Sequence, residues 1–242
     1  MMNEEGIKYL DWDSEFFKVN IGRITAVELT GLIKALKTAK DRSYDCIYFE
    51  TIFAKRGVMN YCLANDFNLV GIKMNLAVNL QSLDKSSYPE GISFIKKEEY
   101  YHQIEKIVLN SCAPLSRFAF DPRFGLKRTR RLYREWINKA FRGDFSETII
   151  FSVEPDEIIS GFTTLRKHSG KIFVDLFAVS EEFRGKEVAV KLLQSAKNWS
   201  RKKGYEKLFV LTQGYNIPAL RSYQKNGFVT DSVNIFFHRW LK

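Results

Sequence analysis

Cysteine and histidine are scarce, at three each in 242 residues. Cys46, Cys62 and Cys112 are odd in number and far apart with no Cys-x-x-Cys, and His102, His168 and His238 are as scattered. A disulfide framework and a metal site are therefore not expected, and the thiols read as buried and free. Long apolar runs are also missing. The longest are strand-sized, well short of the roughly 20 residues a membrane span needs, and the first residues lack a basic-then-apolar leader. The expectation is a soluble, cytoplasmic protein that needs no membrane. What is present is apolar and aromatic material: 45% hydrophobic and 14% aromatic residues suffice for a packed core, in one large domain or two small ones.

Acidic residues are outnumbered, 28 against 38 Lys and Arg, for a formal charge of +10. That excess attracts any polyphosphate and admits a nucleic-acid-binding module as one class of function. The densest patch is Arg123, Lys127, Arg128, Arg130, Arg131 and Arg134. Helical spacing puts Arg123, Lys127, Arg130, Arg131 and Arg134 on one face, with Tyr133, Trp136, Ile137, Ala140 and Phe141 on the other. A solvated face explains such a stripe. So does a nucleotide diphosphate gripped near Ser116-Arg117-Phe118. Steep salt dependence of binding to duplex DNA would favour the nucleic-acid reading instead.

The pattern along the chain alternates. Strand Gly22–Val27, helix Leu29–Arg42, strand Asp45–Ile52, helix Lys55–Asp66 and strand Phe67–Leu80 form a first α/β unit. A polar stretch from Leu83 to Gly91 carries Pro89 and Gly91, and places a boundary near residue 88. The pattern restarts with Ile92–Lys96, a helix Glu98–Cys112, the Arg-rich helix, hairpin strands Glu147–Glu154 and Glu157–Lys167 turned at Pro155-Asp156, strand Ile172–Val179, and a last strand Val229 to about Trp240.

From Val179 to Phe228 the order is more particular. The loop Glu181 to Gly185 leads into a helix beginning at Glu187, in which Ala189, Leu192, Leu193, Ala196 and Trp199 mark a buried face. Lys191, Gln194, Lys197, Asn198, Arg201 and Lys202 take the other, and Gly204 caps the end. The N-terminus of this helix, just after Arg184 and Lys186, offers unpaired N–H groups at the positive end of the macrodipole and suits a phosphate. Arg-Gly before a helix also fits a plain solvated turn. Strand Lys207–Thr212 follows, then Asn216 at an N-cap, Pro218 in the first turn and Gly227 at the end of a short helix. Asn216, Ala219 and Tyr223, at i, i+3 and i+7, share one face with the small residue in the middle.

These parts resemble the GNAT acetyltransferases, whose acetyl-CoA motif is Arg/Gln-x-x-Gly-x-Gly/Ala after strand four and whose late helix carries a tyrosine near the coenzyme sulfur. More narrowly, Leu10-Asp11-Trp12-Asp13-Ser14-Glu15-Phe16-Phe17, Ser116-Arg117-Phe118-Ala119-Phe120-Asp121 and Thr212-Gln213-Gly214-Tyr215-Asn216 are similar to the dTDP-fucosamine acetyltransferase group. The resemblance spans nearly the whole chain. It implies an α/β GNAT fold with a central splayed mixed sheet over residues 89–242, preceded at 1–88 by a smaller, partial GNAT-like domain that binds no coenzyme and helps wall the acceptor site. Trp12, Phe16 and Phe17 match the group's opening signature and equally read as aromatic core.

The same resemblance implies the roles of the site residues. Pantetheine lies along Leu176, Phe177, Ala178 and Val179, bound by backbone groups of a splayed strand. The pyrophosphate rests on Arg184, Gly185, Lys186, Glu187, Val188 and Ala189, with Asn216 and Ala219 beside the coenzyme. Tyr223 is the general acid, since a phenol of pKa about 10 stays protonated at neutral pH and lies close to a thiol's roughly 8.5. Glu187 departs from the motif, standing where the family has a glycine. A carboxylate in a first helical turn is favoured by the dipole, yet it repels a pyrophosphate unless it points outward. Arg117, Phe118, Asp121 and Asp175 are candidates for acceptor binding. Asp175, Asp121, Glu50 and His168 are candidates for a base. The implied reaction moves the acetyl group of acetyl-CoA, without metal, to the amine of a dTDP-4-amino-4,6-dideoxyhexose. The alternatives are a protein N-terminus, a Lys or another small amine as acceptor, or a non-catalytic polyphosphate-binding module. A homodimer is an assembly this reading admits.

Overall fold

The computed structural model describes residues 6–26, 28–81 and 87–242. Val27 at the end of the first expected strand, and Leu83 to Ser86 of the polar stretch, lie outside them. The elements run β1 (Ile7–Tyr9), α1 (Asp11–Phe17), β2 (Ile21–Ile24), α2 (Leu29–Asp41), β3 (Cys46–Thr51), α3 (Arg56–Ala64), β4 (Asn68–Asn79), β5 (Ile92–Ser93) and α4 (Glu98–Ser111). Then come α5 (Arg117–Phe120), α6 (Gly125–Arg142), β6 (Thr148–Glu154), β7 (Ile158–His168), β8 (Lys171–Val179), α7 (Val188–Lys202), β9 (Lys207–Gln213), α8 (Ile217–Lys225) and β10 (Val229–Trp240). The fold is a mixed α/β fold, as the alternating pattern predicts.

Two compact units share the chain. One is built from Met1–Lys73, Arg117–Arg128 and Val233–Lys242, the other from Met74–Ser116 and Thr129–Ser232. β4, α6 and β10 each pass from one unit into the other.

In the first unit β1 pairs antiparallel with β2, β2 parallel with β3, and β3 antiparallel with the C-terminal half of β10, from Ile235 against Thr51 to Trp240 against Cys46. The apolar stripe of α2, Leu32, Ala35, Leu36 and Ala39, packs with Ile47, Phe49, Met59, Ile235 and Phe237. Burying one such leucine contributes roughly 1.5–3 kcal/mol.

In the second unit the strand order is β4-β9-β8-β7-β6-β5. β5 to β8 are antiparallel neighbours, and β8 is parallel to β9. Two cores lie here. One gathers Ile172, Val174, Leu192, Leu193, Ala196, Leu208, Val210, Tyr223 and Phe228. The other gathers Tyr100, Ile104 and Val108 of α4 and Ile137 and Ala140 of α6 around Leu176 and Ala178.

α7 begins at Val188, one residue later than its periodicity predicts, with Glu187 outside it. Asn198, assigned by spacing to the solvated face, is buried and bonds the Ser87 carbonyl at 3.3 Å. Lys197 is half-buried, its ammonium on the Asn226 carbonyl at 3.0 Å. The Arg-rich stripe needs one correction: Arg123 precedes α6 and lies over the Trp240 ring, bonding the Lys242 carbonyl. Lys127, Arg128, Arg130, Arg131 and Arg134 are exposed along α6, Arg134 pairing with Glu105 at 2.9 Å. β1, α1 and α5 were not foreseen as elements.

Candidate active site

β8 and β9 are joined only at their starts. Their register runs from Ile172 opposite Leu208 to Val174 opposite Val210, while β8 continues to Val179 and β9 to Gln213. On its other side β8 stays paired with β7, but the register slips where Thr164 meets both Asp175 and Leu176. Two side-chain bonds hold this bulge: the Leu176 N–H donates to Thr164 Oγ1 at 3.0 Å, and Thr163 Oγ1 donates to the Leu176 carbonyl at 3.0 Å. A bulge re-aims the residues beyond it. Before it Ile172 and Val174 face the core containing Tyr223; after it Leu176 and Ala178 face the core of α4 and α6, and Phe177 and Val179 turn toward Tyr223. Bulge and parting of strands together open the end of β8 from Asp175 to Val179.

The loop after β8 leads to a helix end. Arg184 is extended (φ −66°, ψ 142°), Gly185 has φ +81°, and Glu187 is left-handed at φ 61°, ψ 0° as the residue capping α7. The N–H groups of Val188, Ala189 and Val190 have no carbonyl four residues back within the helix, so they remain available to an anion. Arg184 to Glu187 are exposed, and the Arg184 guanidinium bonds Ser111 Oγ at 3.2 Å. Glu187 is thus a cap in left-handed conformation and not a first-turn residue, and its carboxylate makes no capping bond.

α8 is closed as expected: Asn216 Oδ1 accepts the Ala219 N–H at 3.3 Å, and Gly227 follows with φ +86°. Tyr223 is 3% exposed, its ring 5.5 Å from that of Phe177 and 5.7 Å from that of Phe228. It therefore lies against the opened end of β8. Burial pushes its phenol far above the ordinary value, and the neighbouring Cys112 adds to this. The sequence reading assigned neither Cys112 nor Gln213 to this place. Cys112 Sγ donates to the Phe177 carbonyl at 3.6 Å, and burial pushes its thiol up to about 12. Gln213, at the end of β9, has a buried Oε1 without a partner among the described residues. Tyr215 Oη donates to the Leu115 carbonyl at 2.9 Å. Nothing in the spacing of Cys112 marks it; only its place at the end of α4 brings it here.

The acceptor candidates divide. Asp175 belongs to the second unit and holds Arg166 of β7 at 2.8 Å. Burial raises its carboxyl, and Arg166 draws it back only in part. Arg117, Phe118 and Asp121 belong to the first unit. Arg117 sits over the rings of Phe118, Phe236 and Tyr48 at 4.3, 4.6 and 4.9 Å. Asp121 is fully buried and accepts from His238 Nδ1 at 2.7 Å, Trp240 Nε1 at 3.0 Å and the Arg123 N–H at 2.9 Å. Burial alone would raise its carboxyl, but these bonds hold it below the usual range. Of the other base candidates, Glu50 pairs with Lys73 at 2.9 Å and His168 is exposed at the end of β7. Among the described residues no cluster of His, Cys, Asp or Glu is placed to hold a metal, and no helix is long and apolar enough to cross a membrane.

Comparison with known proteins fits this geometry. Residues 112–228 match the acetyltransferase (GNAT) family. The chain is 24% identical over 234 residues to the dTDP-fucosamine acetyltransferase of Escherichia coli, covering 96% of this chain and 97% of that one. It is 25% identical over 125 residues to the spore coat polysaccharide biosynthesis protein SpsD of Bacillus subtilis, covering 52% of this chain and 43% of that one. Among solved structures, a GCN5-related N-acetyltransferase from Sphaerobacter thermophilus shares the fold, with a TM-score of 0.64 at 14% identity over 98% of this chain and 76% of that one. The opened β8, the α7 loop and Tyr223 all lie within the stretch that matches the GNAT acetyltransferase family.

Proposed function

We propose that the chain transfers the acetyl group of acetyl-CoA to the amine of a nucleotide-linked amino-deoxy sugar of the dTDP-4-amino-4,6-dideoxyhexose type. The observation that carries the transfer is the parting of β8 from β9 after Val174, with Tyr223 against Phe177 just beyond it. The acceptor class rests on the near end-to-end match to a relative named for that activity.

The residues fit a pantetheine-diphosphate ligand. Leu176 to Val179 present strand backbone unclaimed by β9, which suits the amides of the arm. The N–H groups of Val188 and Ala189, with Arg184, Gly185 and Lys186 in the exposed loop, suit the diphosphate, while Glu187 opposes it. Asn216 and Ala219 line the same helix face as Tyr223. The neutral acceptor amine attacks the thioester carbonyl as a nucleophile and forms the C–N bond, with a strand N–H beside the oxygen offsetting the charge that develops there. The C–S bond then breaks, and the proton the nitrogen loses to solvent balances the one the departing thiolate takes up. With its phenol pushed up, Tyr223 keeps its proton and meets the departing sulfur as a hydrogen-bond donor. Arg117, Phe118, Asp121 and Asp175 are the residues proposed to select the acceptor.

A thiol-release assay with acetyl-CoA over dTDP- and UDP-linked amino sugars, polyamines and peptides tests the reading. The expected outcome is turnover with dTDP-amino sugars well above every other acceptor. Turnover confined to peptides or polyamines would reassign the acceptor, and no turnover with no coenzyme binding would remove the activity.

A further inference from the structure

Within the first unit three polar atoms are buried without a partner among the described residues, and they belong to three touching side chains: Tyr48 Oη, Arg117 Nε and His238 Nε2. The rings of Tyr48 and His238 are stacked at 4.5 Å, and the Arg117 guanidinium lies 4.9 Å from the Tyr48 ring centre. Tyr48 and His238 are both fully buried, while Arg117 is half-buried. The rings of Phe118, Phe124 and Phe236 pack against the trio. A buried polar atom left unpaired destabilises a fold, and three in one cluster are a cost that binding would offset.

The chemistry of the trio is specific. Asp121 binds His238 through Nδ1 and is held ionised by its three donors, so Nδ1 carries the proton and Nε2 presents a lone pair. Tyr48 and Arg117 offer an O–H and an N–H. Among the described residues Arg117 has no carboxylate partner within salt-bridge distance; Glu50 is taken by Lys73, and Asp13 acts on Arg117 only at longer range. The cluster is thus two donors, one of them cationic, beside one acceptor.

We propose that Tyr48, Arg117 and His238 form a ligand site for a phosphorylated, hydroxyl-bearing group, its anionic oxygen on Arg117 and Tyr48 and its O–H on His238, with Asp121 fixing the imidazole. This deepens the nucleotide-sugar reading by naming the residues that grip the nucleotide moiety, and it rests on that reading for the ligand's identity.

Calorimetric titration of the full chain with dTDP and inorganic phosphate, in parallel with Tyr48→Phe and Arg117→Lys, tests it. The expected result is dTDP binding to the wild type that weakens at least tenfold in each variant. Tyr48→Phe should melt at or above the wild-type temperature, because it removes an unpaired buried hydroxyl while keeping the ring. Equal dTDP affinity in wild type and both variants, or no binding of dTDP to the wild type, overturns the proposal. Binding of inorganic phosphate as tight as that of dTDP makes the site a simple anion site and overturns the hydroxyl contact to His238. These outcomes are read without acetyl-CoA, so loss of the acetyltransferase reading in the thiol assay would be distinguished from loss of this site.

Discussion

Glu187 holds a left-handed backbone at the mouth of α7, a conformation that costs a side-chain-bearing residue about 1–2 kcal/mol and a glycine little. It also puts a carboxylate-bearing residue immediately before the N–H groups that suit a diphosphate. Glu187→Gly is therefore expected to raise stability by about 1 kcal/mol in urea titration and to tighten acetyl-CoA in calorimetry. Glu187→Ala separates the two causes, since it keeps the strain and removes the charge; tightening in both variants by the same factor assigns the effect to repulsion alone. At Tyr223 the hydroxyl is expected to matter and the ring to remain in place, because Phe177 and Phe228 pack the ring. Tyr223→Phe should lower kcat by about 10² or more with an unchanged melting curve. Since burial raises the phenol, its protonated form persists as pH rises past the ordinary value of about 10. A kcat profile with an alkaline fall below that pH that disappears in Tyr223→Phe would contradict this assignment.

At the scale of elements, β7 and α7 meet at Gly161. A methyl group there would lie 2.9 Å from both the Ala178 carbonyl and Val188 Cγ1 and 3.1 Å from Leu192 Cδ1. The Ala178 carbonyl of β8 is backbone and yields only at a cost, while the Val188 and Leu192 side-chain ends must move at the start of α7, close to where the diphosphate is proposed to sit. Gly161→Ala is expected to cost about 1–3 kcal/mol by overpacking and to raise KM for acetyl-CoA several-fold more than it changes kcat, measured by urea unfolding and initial rates. The sequence announces α7 and α8 clearly, because their apolar spacing, the Asn216 cap and the glycines after each end all point the same way. α1 gives no such signal: Leu10 caps it without a side-chain bond, and Lys18, not glycine, ends it in left-handed conformation. The bulge in β8 is equally silent. Ile172, Val174, Leu176 and Ala178 alternate as one buried face, yet the slip at Thr164 sends the first two and the last two into different cores. Partnerships explain the other misses, as with Asn198, whose polar side chain is buried on a loop carbonyl that no helical period foretells.

For the molecule as a whole, the polar stretch near residue 88 invites a linear cut, but the first compact unit also takes Arg117–Arg128 and Val233–Lys242. All six positions from Ile235 to Trp240 pair with β3, and Ile235 and Phe237 are buried with Ile47, Phe49 and Met59. His238 stacks on Tyr48, and Phe124 and Phe118 pack on Phe17. A fragment of residues 89–242 would keep the Tyr223 helix and the opened β8, yet it would lose β4, whose Leu76 and Val78 are buried with Tyr223, and it would leave this half of β10 without β3, an apolar edge that is a template for aggregation. That fragment is expected to aggregate or to unfold at a urea midpoint clearly below that of the full chain, followed by circular dichroism and sedimentation. Adding residues 1–88 as a separate chain should restore solubility, because the missing surfaces are β3 with its helices and β4, and not a covalent link. A soluble fragment that unfolds at the full-chain midpoint would mean that neither the end of β10 needs β3 nor the core around Tyr223 needs β4 to stay folded.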